Sequence, residues 1–457
     1  MSGEMTAVNP ATGEEIARYG QHTPQQVARM IEAAEAASSD WGRTSIERRC
    51  ELMGEMSRLL TARRDWYATL MTAEVGKPIA ESRAEVDKCA WVCRYYAESA
   101  VDMLADRHIE TDRTQSYVHH EPLGVILAVM PWNFPFWQVF RFAAPALCAG
   151  NAGLLKHASN VPGCATAIAE AFTDAGFPAG VFQALLIPGD RVSEVIDAPA
   201  VAAATLTGSE VAGAALAERA GARLKKVVLE LGGSDPYLVL ADADIELAAE
   251  VCAKSRVINS GQSCIAAKRF IVHGDAYEPW LERFVAHMRD LSVGDPSAED
   301  TQVGPLARLD LRSELHRQVT KSVAAGARIV LGGEIPDGPG AFYPPTVLTD
   351  VAPGMPAYEE ELFGPVAAVI RVTSEEEAIR VANDTRFGLG AAVFTSDVAR
   401  GRHIAAERID AGTCVVNTFV ASDPRLPFGG IKASGFGREL ADVGIRAFVN
   451  EKTVIVN

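Results

Sequence analysis

No CxxC pair, no cysteine–histidine cluster with zinc spacing and no excess of basic residues occurs in these 457 residues. Each absence excludes something. The eight cysteines, at 50, 89, 93, 148, 164, 252, 264 and 414, are too few for a disulfide scaffold, and a reducing compartment fits them. The net charge of −16 leaves no basic surface for phosphate backbones, so nucleic acid is not an expected partner. The longest apolar stretch, near "GVILAVMPW" (124–132), is too short to span a bilayer, so no membrane is expected either. The first residues, "MSGEMTAVNPATGEE", carry no basic patch followed by an apolar core, so no signal peptide is expected and the cytoplasm is the default location. GxGxxG and Walker patterns are missing, as are internal repeats and low-complexity segments.

What is present is ordinary globular composition, 48% hydrophobic and 22% charged, over a length that suits two or three domains. The N-terminal part reads as helices: Thr23-Pro24 offers a cap and a proline at the first helical position, and 45–73 and 79–105 carry further helical patterns. Strands and helices alternate from 125 to 229. "VILAVM", "AGLLKH", "VFQALLI", "AAATLTG" and "KKVVLEL" read as buried strands, joined by helical segments. A second alternating series, from "RFIVHG" to "GTCVVN", suggests another α/β domain starting near Glu230. The tail "EKTVIVN" alternates like an edge strand, which needs cover and makes subunit pairing an expectation.

Several stretches carry chemistry. Cys264 in "NSGQSC" (259–264) sits among small residues that admit a ligand to its sulfur, although a lone cysteine is more often a buried structural thiol. Glu230 closes a strand that runs into Gly232-Gly233. It reads as a general base raised by an apolar setting, or as a strand-end acid paired with Lys225 or Lys226. Asn133, in the proline-stiffened "PWNFP" (131–135), reads as an oxyanion donor or as an amide satisfied by backbone. Arg141 is the best nearby cation for a ligand carboxylate. Lys156 ends a strand, where ligands sit in open α/β sheets. "TLTGSEVAG" (205–213) is a strand, a Gly208-Ser209 turn and a helix whose first amides suit phosphate.

In order and spacing, "PWNFP", "LLKHAS", "LTGSEVAG", "LELGGSDP", "SGQSC", "EELFGP" and "PFGGIKASG" resemble the NAD(P)-dependent aldehyde dehydrogenases. The likeness runs from "AVNPATGEEI" (7–16) to "PFGGIKASGFGREL" (427–440). It implies a Rossmann-like cofactor domain at 1–107 and 125–229 and an α/β catalytic domain at 230–437. A small β oligomerisation arm is implied at 108–124 and 438–457, in a homodimer or homotetramer. By the same resemblance Cys264 is the nucleophile, Glu230 the general base, and Asn133 the oxyanion donor beside the Cys264 amide. Trp132, Lys156, His157, Ala158, Ser159, Gly208, Ser209, Leu231, Glu361 and Phe363 border the cofactor. No metal is implied. Ser159 stands where NAD-preferring relatives often carry Glu; a Glu there repels a 2′-phosphate, so NADP is the expected cofactor, with NAD usable. "KHAS" and "WNFPFWQVFR" look most like the bacterial succinate-semialdehyde dehydrogenases, which implies an aldehyde substrate bearing a carboxylate near Arg141 and Ser422. The alternatives are a broad-specificity or other semialdehyde enzyme, a CoA-acylating relative (against which Glu230 argues) and a non-catalytic protein retaining the fold.

Overall fold

The computed structural model describes residues 3–457. Five parallel strands, Val125–Met130, Ala152–His157, Phe182–Ala184, Val201–Thr207 and Lys226–Glu230, form the first sheet. Val125–Met130 lies in its middle. The chain steps outward from it through Ala152–His157 to Phe182–Ala184, then crosses back to place Val201–Thr207 on the other flank. The strand order therefore reverses between Val125–Met130 and Val201–Thr207. The loops that follow them, from Pro131 and from Gly208, diverge and leave a crevice at the sheet's carboxyl edge, where α/β sheets of this kind take their ligands.

Helices cover this sheet because its strands are apolar on both faces. Ile46–Ala62, Arg64–Val75 and Ile79–Met103 share a continuous core with helix Trp137–Cys148, every residue of which is buried. The second sheet runs Arg328–Leu331, Thr346–Thr349, Val366–Val372, Arg269–His273, Pro236–Val239, Gly390–Phe394, Thr413–Val416, parallel except for its first pair. Two cores of its own flank it. The chain then returns: Gly435–Phe436 pairs antiparallel with Lys226–Glu230, Gly435 opposite Glu230.

The tail forms Val449–Val456, which pairs with Gln115–Pro122, itself paired with Arg107–His108. Its other edge is open, with Ile455 and Val456 exposed. A hairpin, Glu4–Val8 with Glu15–Gly20, precedes the helices that the sequence led us to expect from the start. "VFQALLI" yields only the three residues Phe182–Ala184. No helix among the described residues is long and apolar enough to cross a membrane.

Candidate active site

Two loops and two turns meet over the crevice. A cavity of ≈ 230 Å³ is lined there by Trp132, Asn133, Gly208, Leu231, Cys264 and Glu361, among others. Cys264 reaches it through an unusual backbone. Asn259, Ser260 and Gly261 are left-handed in succession, with φ of 52°, 54° and 78°. Only at Gly261 does the space itself demand glycine, because a Cβ there would run into the backbone of Gly364 in the "EELFGP" loop. The turn is pinned at several points. Gly304 N–H donates to Ser260 Oγ (2.9 Å), Ala307 N–H to Gln262 Oε1 (2.9 Å), and Arg256 Nη2 to the Gly261 carbonyl (2.7 Å).

Asn133 belongs to this scaffold. Its Nδ2 donates to the Gln262 carbonyl at 2.9 Å, which spends one amide hydrogen and leaves the other for a ligand. Its Oδ1 is buried without a partner. Burial pushes the Cys264 thiol up to about 12, opposed by the charges of Lys268 and Arg141. Lys268, which the sequence reading passed over, is fully buried. Its ammonium donates to the carbonyls of Ser263 (2.8 Å) and Cys264 (2.6 Å) and lies 3.3 Å from Glu361 Oε1. The same Glu361 oxygen accepts from Gly233 N–H at 3.0 Å. Phe363 meets Trp132 edge-on, ring centroids 5.7 Å apart.

Glu230 does not face the cavity directly. Leu231 and Gly232, which follow it, line the wall, while its own carboxyl is 2% exposed and turned inward. Neither carboxyl oxygen has a hydrogen-bond partner. A Cβ on Gly429 would lie 2.6 Å from Glu230 Oε1, so "PFGG" is the surface that the carboxyl rests on. Burial, then the like charge of Glu439, raise its proton affinity well above the carboxylate range, against Arg141 and Arg438. Of the lysines offered as structural partners for Glu230, Lys225 donates from Nζ to the carbonyls of Ile196 (2.6 Å) and Ala198 (2.7 Å), and Lys226 stands at the opposite end of the strand that Glu230 closes.

Three of the expected ligand-binding residues, Arg141, Ser422 and His157, have partners within the protein. Arg141 is no free cation: it is 2% exposed, its Nε lies against Glu439 Oε2, and its Nη2 donates to Thr207 Oγ1 at 3.2 Å. Ser422 is occupied by Lys88, whose ammonium donates to its Oγ at 2.8 Å and stands 4.4 Å over the Trp137 ring. His157 is likewise turned into the protein. Its Nε2 meets the Pro135 carbonyl (2.9 Å), its Nδ1 accepts from Ala158 N–H (2.9 Å), and burial pushes its pKa down to about 4. It braces the "PWNFP" loop as a neutral ring.

The remaining positions fit a dinucleotide. Ser209 caps helix Glu210–Gly221, its Oγ accepting from Ala212 N–H at 3.3 Å, so the first amides of that helix face the crevice edge. Lys156 is buried at the end of its strand and, among the described residues, has no carboxylate within 4 Å. Burial lowers its pKa, opposed by Asp190. Beside it Ala158 is partly buried and Ser159 exposed, so neither of these neighbours sets an acid against a phosphate.

Comparison with known proteins places the chain in a family. The model of the aldehyde dehydrogenase family matches residues 1–454. A probable succinate-semialdehyde dehydrogenase [NADP(+)] of Synechocystis sp. is 51% identical over 98% of this chain and 99% of its own. The succinate semialdehyde dehydrogenase [NAD(P)+] of Escherichia coli K12 is 48% identical over 98% and 97%. The crystal structure of succinic semialdehyde dehydrogenase from Streptococcus pyogenes with NADP+ superposes with a TM-score of 0.97, at 39% identity and 99% coverage of both chains.

Proposed function

The chain belongs to the aldehyde dehydrogenase family, and from that premise we propose that it oxidises succinate semialdehyde to succinate, with NADP preferred and NAD usable. The observation that carries the chemistry is a thiol and an amide donor on one cavity at the reversal point of a nucleotide-type sheet. The substrate is argued from the full-length relatives named above and from the cations near that cavity.

Cys264, as thiolate, adds to the aldehyde carbon. The resulting oxyanion is held by the second hydrogen of Asn133 Nδ2 and by the Cys264 amide. The dinucleotide, when bound, supplies the hydride acceptor. Lys156 and Ser159 suit its 2′-phosphate, the Gly208-Ser209 turn its pyrophosphate, and Glu361, Phe363, Leu231 and Trp132 its nicotinamide end. Loss of hydride leaves a thioester on Cys264. Glu230 takes a proton from water, hydroxide adds to the thioester carbonyl, and the thiolate departs with the carboxylic acid released. To act, Glu230 has to be ionised and turned toward the cavity; its raised proton affinity then makes the carboxylate a stronger base toward water. The substrate carboxylate is directed toward Ser422 and Arg141. Lys88 supplies the charge there, because Glu439 already balances Arg141.

We also propose the division of the chain given by the resemblance, a cytoplasmic location consistent with eight free thiols, and a homodimer or homotetramer joined through the tail strand. The test is absorbance at 340 nm with succinate semialdehyde and each cofactor. Cys264→Ala is expected to abolish turnover while cofactor binding persists, and Glu230→Gln to stall after one turnover. Full activity in either variant overturns the assignment, and turnover that requires CoA favours the acylating alternative.

A further inference from the structure

The segment that opens helix Ile79–Met103 touches the catalytic loops from beneath, at two places. Glu85 Oε1 accepts from the backbone N–H groups of Phe136 and Trp137, both at 2.9 Å, and Glu85 is paired with buried Lys77. Lys77 Nζ in turn lies 3.8 Å over the Phe134 ring. One turn earlier, Glu81 Oε2 accepts from the N–H of Asn259 at 2.7 Å. Asn259 is the first of the three left-handed residues ahead of the thiol. Its Nδ2 donates to the Asn133 carbonyl at 2.6 Å and to the Gln262 carbonyl at 3.3 Å, and Gln262 is the same carbonyl that holds Asn133 Nδ2.

These bonds form one connected chain from Glu81 to the oxyanion donor. A non-glycine residue in the left-handed region is disfavoured by about 1–2 kcal/mol, so two in a row need outside support. The only charged acceptor bonded to the Asn259 N–H among the described residues is Glu81. Glu81 also borders a second cleft with Glu250, Lys254, His287 and Asp300, none of which lines the substrate cavity.

We propose that Glu81 is a positioning residue for catalysis: through Asn259 it sets the place of the Asn133 amide and of the loop that carries Cys264. It touches neither substrate nor cofactor. The inference rests on the reading of Asn133 as oxyanion donor. Burial raises the Glu81 carboxyl to about 7, with Lys77 opposing and Glu85 reinforcing, so both protonation states occur near neutrality. Each state keeps an oxygen able to accept from Asn259, and so does the amide of glutamine.

The experiment uses the full-length enzyme with succinate semialdehyde and NADP+. Glu81→Ala is expected to lower kcat roughly 10- to 100-fold, the scale of a misplaced catalytic group. KM for NADP+ should stay within about 3-fold, because the cofactor edge is untouched, and Glu81→Gln should restore most of kcat. Iodoacetamide labelling of Cys264 without cofactor should change rate in Glu81→Ala and not in Glu81→Gln. Unchanged kcat in Glu81→Ala overturns the proposal, as do equal losses in both variants. Should Glu81→Ala fail to fold, Asn259→Gly serves: glycine keeps the left-handed backbone and removes only the side-chain bonds to Asn133 and Gln262. Full kcat in that variant also overturns it. A wild-type enzyme inert toward aldehydes strikes the reading of Asn133 instead, which separates the two failures.

Discussion

At Cys264 two demands oppose one another. Access for a carbonyl and a nicotinamide calls for small neighbours and a dry pocket, but a dry pocket penalises the thiolate. Burial wins in the ligand-free protein, with the thiol at about 12. Because only the thiolate alkylates, labelling by iodoacetamide in the absence of cofactor is expected to rise about tenfold per pH unit from 7 to 10, without a plateau. A plateau near pH 8 would show that Lys268 and Arg141 outweigh burial. Arg141 makes a second prediction. Removing it as Arg141→Met leaves Glu439 buried beside Glu230 without its paired cation, a loss of about 3–5 kcal/mol measurable by urea unfolding. A variant as stable as wild type, changed only in KM for succinate semialdehyde, would return Arg141 to the role of a free carboxylate anchor.

Elements explain what was legible in the sequence and what was not. Strands such as Val125–Met130 and Val366–Val372 announce themselves because burial on both faces forces long apolar runs, broken in the second only by exposed Arg371. Pro236–Val239 and Thr346–Thr349 escaped notice: each has four residues, one opens on proline, and neither is longer than a chance apolar run. In the N-terminal hairpin Glu4–Val8 buries only Met5 and Ala7 and Glu15–Gly20 buries no residue fully, so the alternation is too short to mark it. Among candidate site residues, Cys264, Asn133 and Glu230 stand in local motifs. The roles of Glu439, Glu81 and Lys88 are not legible there, because their partners Arg141, Asn259 and Ser422 lie far away in the chain and a pairing of that kind leaves no local spacing to read. The pairing of Arg141 with Glu439 is equally invisible in the local sequence. At this scale the Gly261 turn is the exposed weakness. Gly261→Ala meets both a left-handed φ and the Gly364 backbone, so activity should fall at least tenfold with bulk helix content by circular dichroism unchanged.

For the whole molecule, the open edge of Val449–Val456 is the plainest surface signal. Ile455 is 61% exposed on a strand with unpaired backbone along one side. Ile455→Lys is expected to shift the protein toward monomer in light scattering after size exclusion; an unchanged mass would place the subunit contact elsewhere. The other large-scale feature is the return of the chain at Gly435, directly opposite Glu230. Everything between those two neighbours enters and leaves through a single doorway, and most of it packs around cores that the first sheet does not share. The polypeptide is thus built like a sentence with a long parenthesis. A protein engineer exchanging inner clauses between relatives would cut at those two places, across a gap only one strand spacing wide.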